Sequence, residues 1–298
     1  MTLGRLLILL LGIGLLIGVI LWPSSPEPEV SPKTPENVPA LDQPTAAPVF
    51  VDITEKAGLD FVHRAGELEA FYFPAIMGGG CALLDINNDG LLDAYLINGN
   101  EQVGQPTETK TPTARNQLFQ QVEPGRFVNV TEKSGLGDTG YGLGVAVGDI
   151  NNDGFSDIYV TNVGADKLYL NRGDGTFRDV TESAGIENRH WAASASFVDF
   201  DRDGWLDLYV TNYVDYFPER TCPDSSGHLD FCGPQTFFSV SDKLFRNVTG
   251  DPTESTKSGT VRFRDVSVSS GIAAQAGAGL GVVCVDVNQD RWPDIYVA

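Results

Sequence analysis

The sequence predicts an all-β protein built from repeated antiparallel units of four short strands. An acidic nine-residue loop occurs four times, and a strand-like run rich in Val, Ile, Tyr or Phe follows each copy. Outside one apolar segment near the N-terminus, no helical period of 3.6 residues is sustained. Repetition of this kind indicates an array of equivalent structural units rather than one irregular domain.

The four loops share the pattern D-x-[DN]-x-D-G-x-x-D, with Arg in place of Gly in the last copy. They are DINNDGLLD at 85–93, DINNDGFSD at 149–157, DFDRDGWLD at 199–207 and DVNQDRWPD at 286–294. A small-residue apolar run precedes each loop, and a third and a fourth apolar element follow the strand after each of the first three loops. Four short strands in a unit of roughly 50 residues predict the blade of a β-propeller.

The repeats predict about three and a half blades. The segment from Val49 to Leu59 resembles the fourth element of a unit, so we expect it to supply a strand that closes the last blade. The sequence ends after the second element of the fourth unit. Such a set of strands would leave an unpaired edge, which β proteins avoid. We therefore expect a piece of a longer protein.

An N-terminal hydrophobic helix is predicted for the uncharged run from Leu6 to Trp22. Its 17 residues fit an uncleaved membrane anchor with a cytoplasmic N-terminus, or alternatively a cleaved signal. Either interpretation predicts export to the cell envelope, membrane-anchored or secreted. The predicted domains are a membrane anchor or signal at 1–23, a Pro-rich linker at 24–48 and the repeats at 49–298.

The net charge of the chain narrows the possible partners. Forty acidic and 20 basic residues give a net charge of −20, which disfavours nucleic acid as a partner and suits cations.

Cys222 and Cys232 lie ten residues apart in a Pro/Gly-rich stretch, and their spacing predicts a local disulfide in an oxidising compartment. Cys81 and Cys284 lie in apolar runs, and we expect them to be free, buried thiols.

The loops predict calcium sites. Carboxylate or amide oxygens fall at positions one, three, five and nine, and a backbone carbonyl at position seven can complete the six to eight oxygen ligands that Ca²⁺ prefers. Mg²⁺ demands stricter octahedral geometry, and transition metals favour the His and Cys that the loops lack. The predicted ligands are Asp85, Asn87, Asp89, Leu91, Asp93, Asp149, Asn151, Asp153, Phe155, Asp157, Asp199, Asp201, Asp203, Trp205, Asp207, Asp286, Asn288, Asp290, Trp292 and Asp294.

The alternative is that these Asp, Asn and Gly clusters are ordinary hairpin turns. Four loops in register bring 13 carboxylates together, and like charges so close repel each other unless a cation neutralises them. This repulsion favours calcium over simple turns. The fourth loop departs from the pattern, because Arg291 replaces the glycine and Pro293 follows, so it is the doubtful site.

Loops of this form followed by LYVTN-like strands resemble the FG-GAP/VCBS repeats of integrin α-type propellers. The segments HWAASASFVDFDRDGWLDLYVTNYVDY and DFCGP, with LFRN and FRDVS, are more specifically similar to bacterial relatives of cartilage acidic protein, which often carry an ASPIC/UnbV domain. The resemblance covers about Val49 to Ala298. It implies a seven-bladed propeller with Ca²⁺ in the blade hairpins.

No recognisable catalytic motif accompanies the loops. The sequence therefore predicts a non-enzymatic calcium-binding scaffold for adhesion or for recognition of a protein or glycan. Two alternatives remain open: a calcium-dependent polysaccharide-acting enzyme similar to lyase propellers, and a structural part of an envelope assembly. A lyase needs a base near a basic cleft, and this acidic chain shows no such cluster.

Overall fold

A computed structural model describes residues 50–65, 71–99, 114–251, 253 and 260–298 of the chain. The predicted N-terminal helix and the Pro-rich linker lie outside these residues. None of the helices in the described ranges has the length and apolar character needed to span a bilayer. The described chain from Asp52 onward forms one structural unit.

Nineteen short strands make up this unit, all paired antiparallel. In chain order they are β1 Cys81–Leu84, β2 Asp93–Leu96, β3 Gln117–Glu123, β4 Arg126–Asn129, β5 Gly142–Gly148, β6 Asp157–Asn162, β7 Lys167–Asn171, β8 Phe177–Asp179, β9 Ala192–Val198, β10 Asp207–Asn212, β11 Val214–Asp215, β12 Cys222–Pro223, β13 Leu229–Asp230, β14 Phe238–Ser241, β15 Lys243–Asn247, β16 Phe263–Asp265, β17 Ala276–Gly277, β18 Val282–Val285 and β19 Asp294–Val297.

Three complete four-stranded sheets and one half-sheet follow the repeats of the sequence. The sheets have the strand orders β1-β2-β3-β4, β5-β6-β7-β8 and β9-β10-β15-β16, and β18 pairs with β19. The first strands of successive sheets, β1, β5, β9 and β18, lie next to one another. The predicted all-β repeat organisation is thereby confirmed. The described residues do not form a closed ring.

The core lies between successive sheets, and the second strands explain why. In β6, Ile158 and Val160 pack toward the first sheet, whereas Tyr159 packs toward the third. Alternate side chains of a strand point to opposite faces, so a strand between two sheets buries both faces. Every residue of β6 and β10 is accordingly buried. The near-continuous apolar runs IYV and LYV of the sequence are the result.

The fourth element of each unit is not a strand alone. In the first two sheets the outer strand leads into a one-turn helix, Thr131–Ser134 and Thr181–Ala184, which ends at a glycine with positive φ. Thr54–Ala57 forms the same turn near the start of the described chain. Residues 50–53, in the segment predicted to supply a closing strand, pair with no strand of the described chain.

The insertion between β10 and β15 adds an aromatic cluster at the end of the third sheet. Phe73, from a 3₁₀ turn before β1, packs edge-on against Trp191 at 5.1 Å and stacks on Phe237 at 5.8 Å between ring centroids. Tyr213 lies 5.2 Å from Trp191. These segments are far apart in sequence, so the cluster fastens the insertion to the first sheet's entry segment.

The cysteine predictions are confirmed in part. The Cys222–Cys232 disulfide is present and links β12 to the aromatic cluster, in which Cys232 is buried. Cys81 and Cys284 are free, as expected, but the expectation that they are buried is wrong. Cys81 is exposed because β1 packs toward the second sheet only through alternate residues such as Leu84, which leaves Leu83 and Cys81 on the open face. Cys284 is half-exposed in the two-stranded half-sheet.

Candidate metal sites in the four acidic loops

The four acidic loops occupy equivalent places in the fold. Each joins the first and second strands of its sheet, from β1 to β2, β5 to β6, β9 to β10 and β18 to β19. Because the first strands lie side by side, the loops stand in a row at one edge of the molecule. The structure thus brings the predicted ligands together in four separate groups, one in each loop.

The first aspartate of each loop organises the turn. Asp149 accepts hydrogen bonds from two backbone N–H groups, that of Asp153 at 3.1 Å and that of Gly154 at 2.8 Å. Asp85, Asp199 and Asp286 accept the equivalent pair in their own loops. The chain therefore wraps around this carboxylate, as the alternating spacing of the aspartates predicts.

The last aspartate of each loop ties the turn to its sheet. In the second loop, Asp157 accepts from the N–H of Ile150 at 3.0 Å and from the N–H of Asn171 in β7 at 2.8 Å. Asp93 and Asp207 make the same two kinds of contact and, like Asp157, are fully buried. Asp294 keeps the loop contact, to Val287.

Burial makes these last aspartates electrostatically costly. It raises the pKa of Asp157 and of Asp207 to about 7, with a further raise from the neighbouring carboxylates of the same loop and an opposing effect of the backbone donors. The pKa of Asp93 is raised for the same reasons. A buried carboxylate beside other carboxylates is stabilised by a proton or by a cation.

The third loop has the strongest geometry for a cation. Oxygens of Asp199, Asp201 and Asp207 all lie within 4.8 Å of one another. Asp201 Oδ1 is buried and has no hydrogen-bond partner. Six to eight oxygens at about 2.3–2.6 Å form a Ca²⁺ site, and oxygens separated by these distances can share one ion. The residues present therefore fit a hard divalent cation.

Sequence reasoning missed Arg246, which contacts the third loop from β15. Its Nε donates to Asp201 Oδ2 at 2.6 Å, and a second guanidinium nitrogen lies 3.1 Å from Asp203 Oδ2. This loop has four carboxylates, whereas the others have three. The guanidinium offsets the extra charge and contacts Asp201 through Oδ2, while Oδ1 has no hydrogen-bond partner. A strand alignment could have found it, since Arg246 stands where β7 has Leu170.

The residue at position three of the loop differs between the third loop and the other three. In the first, second and fourth loops it is an asparagine whose amide donates to the carboxylate at position five, as Asn151 does to Asp153 at 2.8 Å. In the third loop Asp201 occupies this position, and Arg246 supplies the donors instead. The two solutions hold the fifth-position aspartate in place with different chemistry.

The fourth loop folds like the others despite its departures. Arg291 has a positive φ of 74° at position six, where Gly90, Gly154 and Gly204 have φ values of 85–89°. Its N–H donates to Asp286 Oδ2 at 2.7 Å. The backbone frame of this doubtful site is thus intact. The difference is that a non-glycine residue holds a left-handed conformation, which costs about 1–2 kcal/mol.

Comparison with known proteins agrees with the repeat organisation. The FG-GAP-like repeat model matches residues 85–160 and 149–210, and these two stretches begin at the first and second acidic loops. Together they extend into the third loop and its following strand, β10. No curated protein matches the chain. The chain therefore contains FG-GAP-like repeats, as the resemblance in the sequence implied.

Proposed function

We propose that this protein is a calcium-binding, non-enzymatic β-propeller scaffold that recognises a protein or glycan outside the cytoplasm. The observation that supports calcium best is the buried, unpartnered Asp201 Oδ1 beside the carboxylates of Asp199 and Asp207. The FG-GAP-like repeats support a propeller-like scaffold for recognition or adhesion. We also propose that the chain is related to the bacterial relatives of cartilage acidic protein that its sequence resembles.

Calcium fits the loops better than magnesium does. All candidate ligands are carboxylate, amide or backbone oxygens. In the second loop, both carboxylate oxygens of Asp149 accept backbone N–H groups and hold the chain in a compact turn. Ca²⁺ accepts such irregular sets of oxygens, whereas Mg²⁺ requires near-ideal octahedral geometry and keeps much of its water. When bound, the ion supplies positive charge that neutralises the clustered carboxylates and fixes each hairpin.

The chain's own residues give this ion a structural role. Asp93, Asp157 and Asp207 each connect their loop to the third strand of the same sheet. A cation held by these carboxylates would therefore join the loop to the sheet's second and third strands. Rigid loops in a row then present a defined surface, which is what a recognition scaffold requires.

Calcium binding is tested by titrating the full chain with CaCl₂ in a calorimeter after chelation, with MgCl₂ as the comparison ion. We expect several Ca²⁺ ions to bind, and Mg²⁺ to bind much more weakly. Asp199→Asn with Asp201→Asn should remove one ion. As a matched control, Asp60→Asn with Asp230→Asn removes two exposed carboxylates outside the loops and should leave the count unchanged. Binding of no calcium would contradict the proposal.

Thermal unfolding gives a second measurement. An ion that binds only the folded state stabilises it by RT ln(1 + [L]/Kd), about 2.7 kcal/mol per site at a hundredfold excess over Kd. We expect chelation to lower the Tm by many degrees and Mg²⁺ to restore little of the loss. An unchanged Tm on chelation would mean that the loops are ordinary hairpin turns.

The absence of enzymatic activity is also a proposal. Incubating the full chain with acidic polysaccharides and calcium should release no unsaturated products, measured by ultraviolet absorbance. Product formation that depends on calcium would favour the alternative of a lyase-like enzyme. Inactivity together with capture of a defined envelope protein or glycan would support the scaffold.

Export and anchoring rest on the apolar run from Leu6 to Trp22. We propose that it holds the repeats outside the membrane, with the Pro-rich linker at 24–48 between them. Fractionation should place the protein with the membrane. N-terminal sequencing of the mature protein should find the apolar run retained, and a mature N-terminus within residues 20–48 would instead show a cleaved signal.

A further inference from the structure

The side chain at the fourth position of each of the first three loops contacts the next loop along the chain. Asn88 Nδ2 donates to the carbonyl of Gly154 at 2.9 Å, and Asn152 Nδ2 donates to the carbonyl of Gly204 at 3.0 Å. Arg202 places its guanidinium 4.9 Å from the centroid of the Trp292 ring.

The backbone at the fourth position is shaped for this reach. Asn88, Asn152 and Arg202 all have positive φ, between 56° and 62°. Non-glycine residues adopt this left-handed conformation infrequently, and Asn is among those that tolerate it best. Gln289 has the same conformation in the fourth loop, with a φ of 65°, so the positive φ belongs to the repeat, and in the first three loops it accompanies a contact with the next loop.

The carbonyl that accepts each asparagine amide belongs to the peptide just before position seven of the neighbouring loop. The carbonyl of Gly204 accepts from Asn152, and the N–H of the same peptide, from Trp205, donates to Asp203 Oδ1 at 3.0 Å. This peptide plane is thus held on one side by the preceding loop and on the other by a carboxylate of its own loop. The carbonyl of Trp205, the predicted seventh-position ligand, follows directly.

The second loop has the same construction. Asn88 holds the carbonyl of Gly154, and the N–H of Phe155 donates to Asp153 Oδ1 at 2.9 Å. The first loop makes the equivalent internal contact, from the N–H of Leu91 to Asp89 Oδ1. Two independent copies therefore show a side chain from one loop fixing the peptide that precedes the candidate carbonyl ligand of the next.

We propose that Asn152 is a positioning residue for the cation site of the third loop, and Asn88 for that of the second. Each of these sites is then completed by the loop before it, so that the affinity of one loop depends on a residue of its neighbour. The inference rests on the proposed calcium function. It adds that each of these sites depends on a side chain of the loop that precedes it in the chain.

The test substitutes glycine at the donating position. Asn152→Gly removes the amide and keeps the positive φ without strain, so the backbone of the second loop is preserved. Asn88→Gly is the matched control, because it makes the same change one loop earlier. Tb³⁺ is the probe: excitation of tryptophan sensitises it, and position seven is Trp205 in the third loop but Phe155 in the second. Asp286→Asn in all variants weakens the fourth loop, which also contains a tryptophan.

We expect Asn152→Gly to lower the Tb³⁺ affinity reported by Trp205 by about fivefold, the equivalent of one hydrogen bond of roughly 1 kcal/mol. Asn88→Gly should change it by less than twofold. Asp199→Ala identifies the third-loop signal by abolishing it. Equal effects of the two glycine variants, or no effect of Asn152→Gly, would overturn the proposal.

A measurement without metal separates this inference from calcium binding itself. In chelator, hydrogen exchange at the Trp205 amide should be faster in Asn152→Gly than in the parent protein, and exchange at the Phe155 amide should be faster only in Asn88→Gly. Failure of the parent to bind Tb³⁺ or Ca²⁺ would contradict the proposed function. Unchanged exchange at Trp205 would contradict the positioning role whether or not an ion binds.

Discussion

Arg246 contacts Asp201 at 2.6 Å and thereby joins β15 to the third acidic loop. The same guanidinium reaches Asp203 at 3.1 Å, and both partners are only about a quarter to a third exposed. The equivalent residue of β7 is Leu170, and its loop has Asn151 in place of the aspartate at position three. The arginine and the additional aspartate therefore occur together, as a pair.

The first prediction concerns this pair. Arg246→Leu should destabilise the metal-free protein by about 1 kcal/mol, since it leaves four clustered carboxylates without their counter-ion and partly exposed ion pairs contribute on this scale. The double variant Arg246→Leu with Asp201→Asn has the residues of the second unit at these two positions, Leu170 and Asn151, and should recover most of the loss. Urea unfolding in chelator measures both. Additive losses in the double variant would show that the two residues are independent.

Much of the fold could be predicted from the sequence because the repeat is local. The acidic loops, their flanking strands and the disulfide follow from residues within one unit, and the structure has all of them. Asn152 and Trp191 could not be assigned roles in this way. Their contacts join residues of different units or segments, such as Asn152 and Gly204, and depend on how neighbouring sheets pack. The one-turn helices were missed because four residues are too few to show a period.

Asp166 is a second kind of buried carboxylate, at the opposite end of β6 from the acidic loop. It is almost fully buried and accepts hydrogen bonds from the Tyr159 hydroxyl at 2.7 Å, the Asn162 N–H at 2.7 Å and the Asn188 amide at 2.8 Å. Burial raises its pKa to about 7, although these donors act in the opposite direction.

The second prediction follows from the sign of this shift. Because the folded-state pKa lies above the unfolded value of 3.8, the protonated form is favoured by folding. The contribution of Asp166 to stability is therefore greatest below about pH 4 and falls as the pH rises toward 7. As the pH rises over this range, the free energy of unfolding of the parent protein should fall relative to that of Asp166→Asn.

Chemical unfolding at several pH values between 4 and 8, with calcium held in excess, measures that difference. Asp60→Asn is the control, since Asp60 is exposed. A difference between parent and Asp166→Asn that grows in favour of the parent as the pH rises would show that the hydrogen-bond donors outweigh burial.

The third prediction concerns the disulfide. Cys232 packs in the aromatic cluster with Phe73 and Trp191, at the end of β10 remote from the acidic loop. Replacing Cys222 and Cys232 by serine should lower stability by about 2–3 kcal/mol, because the bridge closes a short loop. Tryptophan fluorescence should change as the cluster loosens, while calcium affinity should stay within twofold. Thiol counting on the denatured, unreduced parent should find two free groups, and a count of four would contradict the disulfide.

The last prediction concerns the positive φ at position six. Gly154 has a φ of 89°, and a Cβ there would meet no atom within 4 Å, so Gly154→Ala should cost about 1 kcal/mol through backbone strain alone. Arg291 has the strain already, at a φ of 74°. Arg291→Gly should therefore stabilise the metal-free protein by up to about 1 kcal/mol, after the greater entropy of glycine in the unfolded chain is taken into account.

The change at Arg291 also removes a positive charge from a loop that carries three carboxylates, so the fourth loop should bind Ca²⁺ more tightly. Arg291→Ala separates the two effects, because alanine removes the charge and retains the strain. Calorimetric titration and thermal unfolding of the parent and of both variants measure affinity and stability together. Equal affinity gains in Arg291→Ala and Arg291→Gly would assign the tighter binding to loss of the charge. Equal stability of the two variants would show that backbone strain at position six contributes nothing.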